Sequence, residues 1–277
     1  MKESFGPLVD REWLQAHLWE PTVVILDCRW RLQEPQYGET SYGEAHIPGA
    51  IRMDMAEDLA GPPSLGAGRH PLPDAQAFAE AMSKAGVSQD TRVVCYDDDV
   101  AGAARCWWLL RFFGHPRVAV LNGGFPAWQA AGLPTEDHVP RPHPGHFIPR
   151  PDLSKTVDFE SLFPNHHVLT LVDARSPERF RGKNEPVDRV GGHIPGALNV
   201  PYATTLDPDG HFKPAEDQKR LLSSVLARTR QPVVYCGSGI TACVDILALT
   251  LTGAEPLLYP GSWSGWIEHP AAPIARD

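Results

Sequence analysis

Basic charge is scarce. The chain of 277 residues carries 25 Lys and Arg against 34 Asp and Glu, a formal net charge of −9. A surface of that sign is not built to neutralise nucleic-acid phosphates or an anionic membrane. The expected partner is a small molecule, with no nucleic acid and no membrane. Long apolar runs are also missing. No stretch approaches the roughly 18 residues of a spanning helix, and MKESFGP at the start lacks a signal-peptide core. A cytoplasmic monomer is expected. Cysteine is sparse: Cys28, Cys95, Cys106, Cys236 and Cys243, with no CxxC pair. That excludes a disulfide scaffold and a structural zinc site of usual spacing, so no metal and no organic cofactor is expected. Glycine and proline are abundant, 24 and 28, and 42% of residues are hydrophobic. The chain therefore reads as globular, rich in turns between short elements.

The same ordered signals occur twice, about 140 residues apart. Asp27-Cys28-Arg29 follows the apolar run 23–26, as Asp173-Ala174-Arg175 follows 168–172; His46-Ile-Pro-Gly-Ala50 returns as His193-Ile-Pro-Gly-Ala197. Val93 to Asp97 matches Val233 to Cys236, and Gly123-Gly-Phe-Pro-Ala-Trp128 matches Gly261-Ser-Trp-Ser-Gly-Trp266. This predicts two domains of one fold, 1–135 and 153–277, joined by the extended Pro-rich linker 136–152. Segments 74–86, 101–114, 217–228 and 240–253 read as helices, the second and fourth ending on a glycine suited to a left-handed cap. Continuous apolar strands alternating with helices imply an α/β fold with a mostly parallel sheet covered on both faces. Ligands of such sheets sit beyond the carboxyl ends of the strands.

The segment 232–235 reads as a buried strand running straight into Cys236-Gly-Ser-Gly-Ile-Thr241, which opens a helix. Its glycines let successive N–H groups converge, and those donors with the helix dipole favour an anion such as a thiolate. Cys236 is therefore the expected nucleophile, with the loop at Gly237, Gly239, Ile240 and Thr241 as the anion cradle. In the first copy Asp97 stands at that position, in a loop of three carboxylates that would repel an anion. A phosphatase loop would need an arginine six residues after the cysteine, where this chain has Ala242.

The double HIPGA signal, the Cys236-Gly-Ser-Gly-Ile-Thr241 loop and the Gly261–Trp266 segment resemble the tandem-domain rhodanese family of sulfurtransferases over essentially the whole chain. The resemblance implies two rhodanese-like domains, each a mostly parallel sheet flanked by helices, with catalysis confined to the second. Sulfur would pass from 3-mercaptopyruvate or thiosulfate to cyanide or a thiol acceptor, thioredoxin among them, through a persulfide on Cys236. The alternative is a relay module loaded by a protein donor. Thiosulfate-preferring members carry basic residues after the cysteine; the Cys-Gly-Ser-Gly pattern is similar to mercaptopyruvate-preferring ones. The resemblance maps their proton-handling serine and histidine to Ser238 and His46, although His193 occupies the same context in the other copy. Arg179 matches the substrate-binding arginine, suited to fork-like carboxylate recognition. Arg189 stands nearest to a second one, in a segment that is shorter and differently phased. Gly265 replaces the family's usual glutamate in GSWxEW.

Overall fold

The computed structural model describes residues 5–276, which divide into two compact units. The first takes the chain through Gly61, then Pro73–Asp152 and Pro208–His211; the second takes Pro62–Leu72, Leu153–Asp207 and the chain from Phe212. Pro62–Leu72, inside the span read as the first domain, thus belongs to the second unit.

Unit 1 holds strands β1 (Leu8–Val9), β2 (Val23–Asp27), β3 (Ile51–Arg52), β4 (Arg92–Tyr96) and β5 (Val118–Leu121) in the order β1-β5-β4-β2-β3, every pair parallel. Its helices are α1 (Arg11–His17), α2 (Tyr37–Glu44), α3 (Ala75–Lys84), α4 (Ala101–Phe112) and α5 (Gly124–Ala130). Residues 93–96 and 118–121 are buried throughout. Both faces of these strands are covered, which is why they read as unbroken apolar runs. Asp74 caps α3 by accepting the N–H groups of Gln76 and Ala77.

Unit 2 repeats the plan with β6 (Leu171–Asp173), β7 (Leu198–Asn199), β8 (Val233–Tyr235) and β9 (Leu257–Leu258), all parallel in the order β7-β6-β8-β9. A parallel bridge from Thr156 to Leu258 stands where β1 pairs with β5. The helices are α6 (Phe159–Asn165), α7 (Pro177–Phe180), α8 (Ala215–Leu221), α9 (Ser223–Leu226), α10 (Ala242–Leu251) and α11 (Ser262–Trp266). The single helix predicted over 217–228 is therefore two short ones, broken at Leu222. The strand expected from residue 168 begins at Leu171, because Val168 lies in a turn and is exposed.

Between α5 and α6 the Pro-rich stretch forms no strand or α-helix but is tied along unit 1. Gly145 N–H bonds to Ser83, Arg150 N–H to Phe113, and Phe147 is buried edge-on against Phe78. Proline forbids a ladder there, yet the remaining N–H groups still find acceptors.

The repeated sequence signals hold equivalent posts. Arg29 grips Asp27 and the Ala45 carbonyl; Arg175 grips Asp173 and the Gly192 carbonyl. The hydroxyls of Tyr96 and Tyr235 accept the N–H groups of Ile47 and Ile194 within the two HIPGA turns.

Candidate active site

Beyond Tyr235 the chain turns at once into the cysteine loop. The Cys236 sulfur accepts the Gly239 N–H at 3.1 Å. Gly239 has φ 82°, a left-handed conformation that glycine adopts without a side-chain clash. Ile240 and Thr241 open α10, their carbonyls accepting from Cys243 and Val244. Cys243 itself gives its S–H to the Gly239 carbonyl. From below, α11 fixes the loop: Ser262 Oγ accepts the Cys236 N–H, while Trp263 and Ser264 donate N–H to the carbonyls of Cys236 and Gly237.

Ser238 sits 6% exposed, and its hydroxyl is hydrogen-bonded to the Nδ1 of His70 at 2.8 Å. The histidine belongs to the segment Pro62–Leu72, which is bound to unit 2 through Gly66 N–H to Glu268 and Arg69 N–H to Ser264 Oγ. Gly265 explains the departure from GSWxEW, since a Cβ there would lie 2.6 Å from the Gly66 carbonyl oxygen. A side chain at that position would push the segment, and His70 with it, off the loop.

His46 does other work. It is fully buried in unit 1, its Nδ1 is 2.7 Å from the Tyr42 carbonyl, and its ring stacks on Tyr42 at 3.9 Å. His193 repeats the arrangement on Phe180, with Nδ1 2.8 Å from that residue's carbonyl. The two HIPGA histidines thus share one fastening, and the histidine at the Ser238 hydroxyl is His70.

Two guanidinium groups flank Gly237. A Cβ on that glycine would lie 3.1 Å from Arg69 Nη2 and 3.3 Å from Arg179 Nη2, so the bare backbone is what admits them. Arg179 donates through Nε to both oxygens of Glu185 and through Nη2 to Asp188, which also pairs with Arg69. Burial raises the Asp188 carboxyl above its ordinary range despite both arginines. Burial pushes Glu185 the same way, but the Arg179 hydrogen bond and the N–H groups of Asp188 and Val187 outweigh it and hold that carboxyl low. Arg189 points elsewhere, donating to the Ile267 carbonyl. The second arginine beside the loop is Arg69, and its Nε is buried without a hydrogen-bond acceptor.

His70 and Arg69 escaped the reading of the sequence because no local pattern ties Pro62–Leu72 to the loop at Cys236; the second copy carries a shorter segment, Pro208–His211, in the same place between HIPGA and the next strand. The available signal was a Gly- and Pro-rich stretch between HIPGA and the next strand in both copies, GPPSLGAGRHP in the first and the shorter DPDGH in the second.

A thiol held against a glycine N–H at a helix start, a serine-histidine pair two residues on, and two arginines bring together a nucleophile, a proton-bearing pair and cationic groups suited to an anionic small molecule. Among the described residues, the one group of ligand atoms close enough to share a metal ion lies elsewhere, in unit 1. The rhodanese-like domain family matches residues 10–131 and again residues 157–269. The chain belongs to that family. A relative named "Probable 3-mercaptopyruvate sulfurtransferase" from Pseudomonas aeruginosa is 44% identical over 281 residues, 98% of this chain and 99% of its own. A thiosulfate sulfurtransferase of Cricetulus griseus is 35% identical, with 98% and 95% covered. The solved structure of a 3-mercaptopyruvate sulfurtransferase from Leishmania major superposes with a TM-score of 0.85 at 33% identity, over 95% of this chain and 74% of that one. Two rhodanese domains, only the second with a loop cysteine, thus make up this member. No helix among the described residues is long and apolar enough to cross a membrane.

Proposed function

We propose that this rhodanese-family chain is a sulfurtransferase that loads Cys236 with sulfur from 3-mercaptopyruvate in preference to thiosulfate. The observation that carries the preference is the 2.8 Å contact between His70 Nδ1 and Ser238 Oγ, two residues from the nucleophile. Thiosulfate needs only attack on its outer sulfur, with sulfite departing as an anion. Mercaptopyruvate needs a proton moved as well, and a hydroxyl paired with imidazole is suited to move it.

The Cys236 thiolate attacks the donor's thiol sulfur. The carbon–sulfur bond breaks and its electron pair stays on carbon as the enolate of pyruvate. The donor's thiol proton passes by way of Ser238 and His70 to that carbon, leaving pyruvate and a Cys236 persulfide anion. Arg179 and Arg69 hold the donor carboxylate, and the N–H groups at Gly239 and the head of α10 face the charged sulfur. Cyanide or an acceptor thiolate, thioredoxin included, then takes the outer sulfur and restores the Cys236 thiolate. Five free cysteines fit a reducing compartment such as the cytoplasm.

The test is kcat/KM for both donors side by side with cyanide as acceptor, using Cys236→Ser as blank. The expected result is a preference for mercaptopyruvate above about tenfold, roughly 1.4 kcal/mol of transition-state discrimination. A preference for thiosulfate overturns the proton-handling role. Turnover of neither donor points to a relay loaded by a protein.

A further inference from the structure

The site just described uses one cysteine, and three of the others converge in unit 1. The convergence follows from the sheet. Leu26 pairs with Cys95 across β2 and β4, so Cys28, two residues beyond Leu26 and reached through its N–H bond to Tyr96, lies on the same face as Cys95. Helix α4 covers that face at unusually short range, because a Cβ on Gly102 would sit 2.2 Å from the Cys28 carbonyl oxygen. Cys106 follows Gly102 by one helical turn and so faces the same way. The three sulfurs all lie within 4.8 Å of one another, in residues 1%, 0% and 0% exposed for Cys28, Cys95 and Cys106.

We propose that Cys28, Cys95 and Cys106 form a second binding site, a buried three-sulfur cage for a thiophilic ion that is satisfied by three ligands, with trivalent arsenic as the species it fits. Sulfur-only ligation selects soft ions. An ion about 2.3 Å from each of three sulfurs spaces them roughly 4 Å apart in a plane, and closer in a pyramid. Zinc takes a fourth ligand, and the group that converges here offers three. Charge then decides among three-coordinate ions, since an uncompensated charge at a fully buried site is costly. Three thiolates around a trivalent centre are neutral, whereas a monovalent copper ion would leave two negative charges.

The binding reaction balances without an oxidant or a base. Arsenous acid exchanges its three hydroxides for three thiols; each arsenic–oxygen bond breaks as an arsenic–sulfur bond forms, and each thiol proton leaves with a hydroxide as water. Entry needs local opening of the α4 start, so loading is slow and raises the melting temperature once complete.

The test uses the full chain carrying Cys236→Ser, which removes the reactive thiol of the other site, reduced with a phosphine so that no small thiol competes. Arsenite is added and the protein passed through gel filtration. The expected result is one arsenic retained per chain, with three sulfur neighbours and no oxygen by X-ray absorption. Adding Cys106→Ala weakens retention by more than about a hundredfold, beyond what loss of a supporting residue around a metal ligand costs. Three outcomes overturn the proposal: no retention, equal retention without Cys106, or two sulfurs with an oxygen. Circular dichroism checks the Cys106→Ala fold, and if that variant unfolds, the sulfur count on the parent decides alone.

Discussion

Ser238→Ala separates proton handling from mere loop shape. The substitution removes one oxygen, buried at 6% exposure and 2.8 Å from His70 Nδ1. It leaves the Gly239 N–H on the Cys236 sulfur and the α11 contacts beneath the loop untouched. General acid–base groups contribute about a hundred- to ten-thousandfold, which is roughly 3–5 kcal/mol of barrier. With 3-mercaptopyruvate the full effect should appear in kcat, because a carbanion must be protonated. With thiosulfate no carbon leaves, so the loss should stay below about tenfold. The donor ratio is therefore the readout, by steady-state kinetics with cyanide on wild type, Ser238→Ala, His70→Asn and the double variant. The double should be no worse than the worse single, since the pair acts as a unit. An equal fall for both donors refutes the reasoning and makes Ser238 a shaping residue; an unchanged ratio with full activity refutes it more simply.

Arg179→Ala should raise KM for mercaptopyruvate by about ten- to a hundredfold with kcat largely kept, as loss of a carboxylate fork does; an unchanged KM removes Arg179 from binding. The same variant removes the hydrogen bond that does most to hold Glu185 low, and the stability that lowered titration gives is present above the ordinary carboxylate range and lost as pH falls through it, so the stability–pH curve should become less steep below about pH 4.3. Asp245 is the opposite case: burial, with Cys236 and Asp173 nearby, raises its carboxyl well above the ordinary range, and neither oxygen has a partner. The folded state binds the extra proton, so stability falls as pH rises from the unfolded value near about 4; Asp245→Asn should gain in melting temperature at pH 8 and lose that gain toward pH 4. Val100→Gly removes a left-handed valine at φ 73° that is 8% exposed. Relief of about 1–3 kcal/mol of strain offsets about 2 kcal/mol of lost burial and about 1 kcal/mol of glycine entropy, so denaturant unfolding should show a loss of no more than about 2 kcal/mol, and a loss of about 3 kcal/mol or more refutes the strain.

The architecture was legible because parallel strands buried on both faces show as unbroken apolar runs, and because the landmarks came in two ordered copies. The repeat also carried the information needed to judge His46. A residue present in both copies, with only one copy holding a loop cysteine, is more economically a fastening than a proton donor, and Tyr42 and Phe180 stack on the two rings alike. What could not be read was a contact closing over 168 residues of chain, His70 to Ser238. Local periodicity says nothing about such a pair, and the segment that makes it lies in sequence among the elements of the other unit. Arg69 was hidden for the same reason. The break at Leu222 was hidden because a helical pattern continues through it while the buried Gln218 side chain is turned to the Thr205 carbonyl.

The two loops together show what the nucleophile requires of its backbone. In both copies the loop carbonyl accepts an N–H from the segment below, Phe125 to Asp97 at 3.0 Å and Trp263 to Cys236 at 2.9 Å. In both, the third residue onward is left-handed, Val100 at φ 73° and Gly239 at φ 82°. The first copy holds that turn through a side chain, the Asp97 carboxyl accepting the N–H groups of Asp98 and Gly102, against the preference of a β-branched residue. Burial, with Asp99 beside it, raises that carboxyl, and its two oxygens are taken up by the N–H groups that shape the turn. The second copy holds the same turn through glycine, whose conformation needs no anchor, and the N–H so placed points at sulfur. A loop that is left-handed by its own glycine leaves the side chain at its head out of the turn's hydrogen bonding, whereas the first copy spends both oxygens of its head residue on that turn.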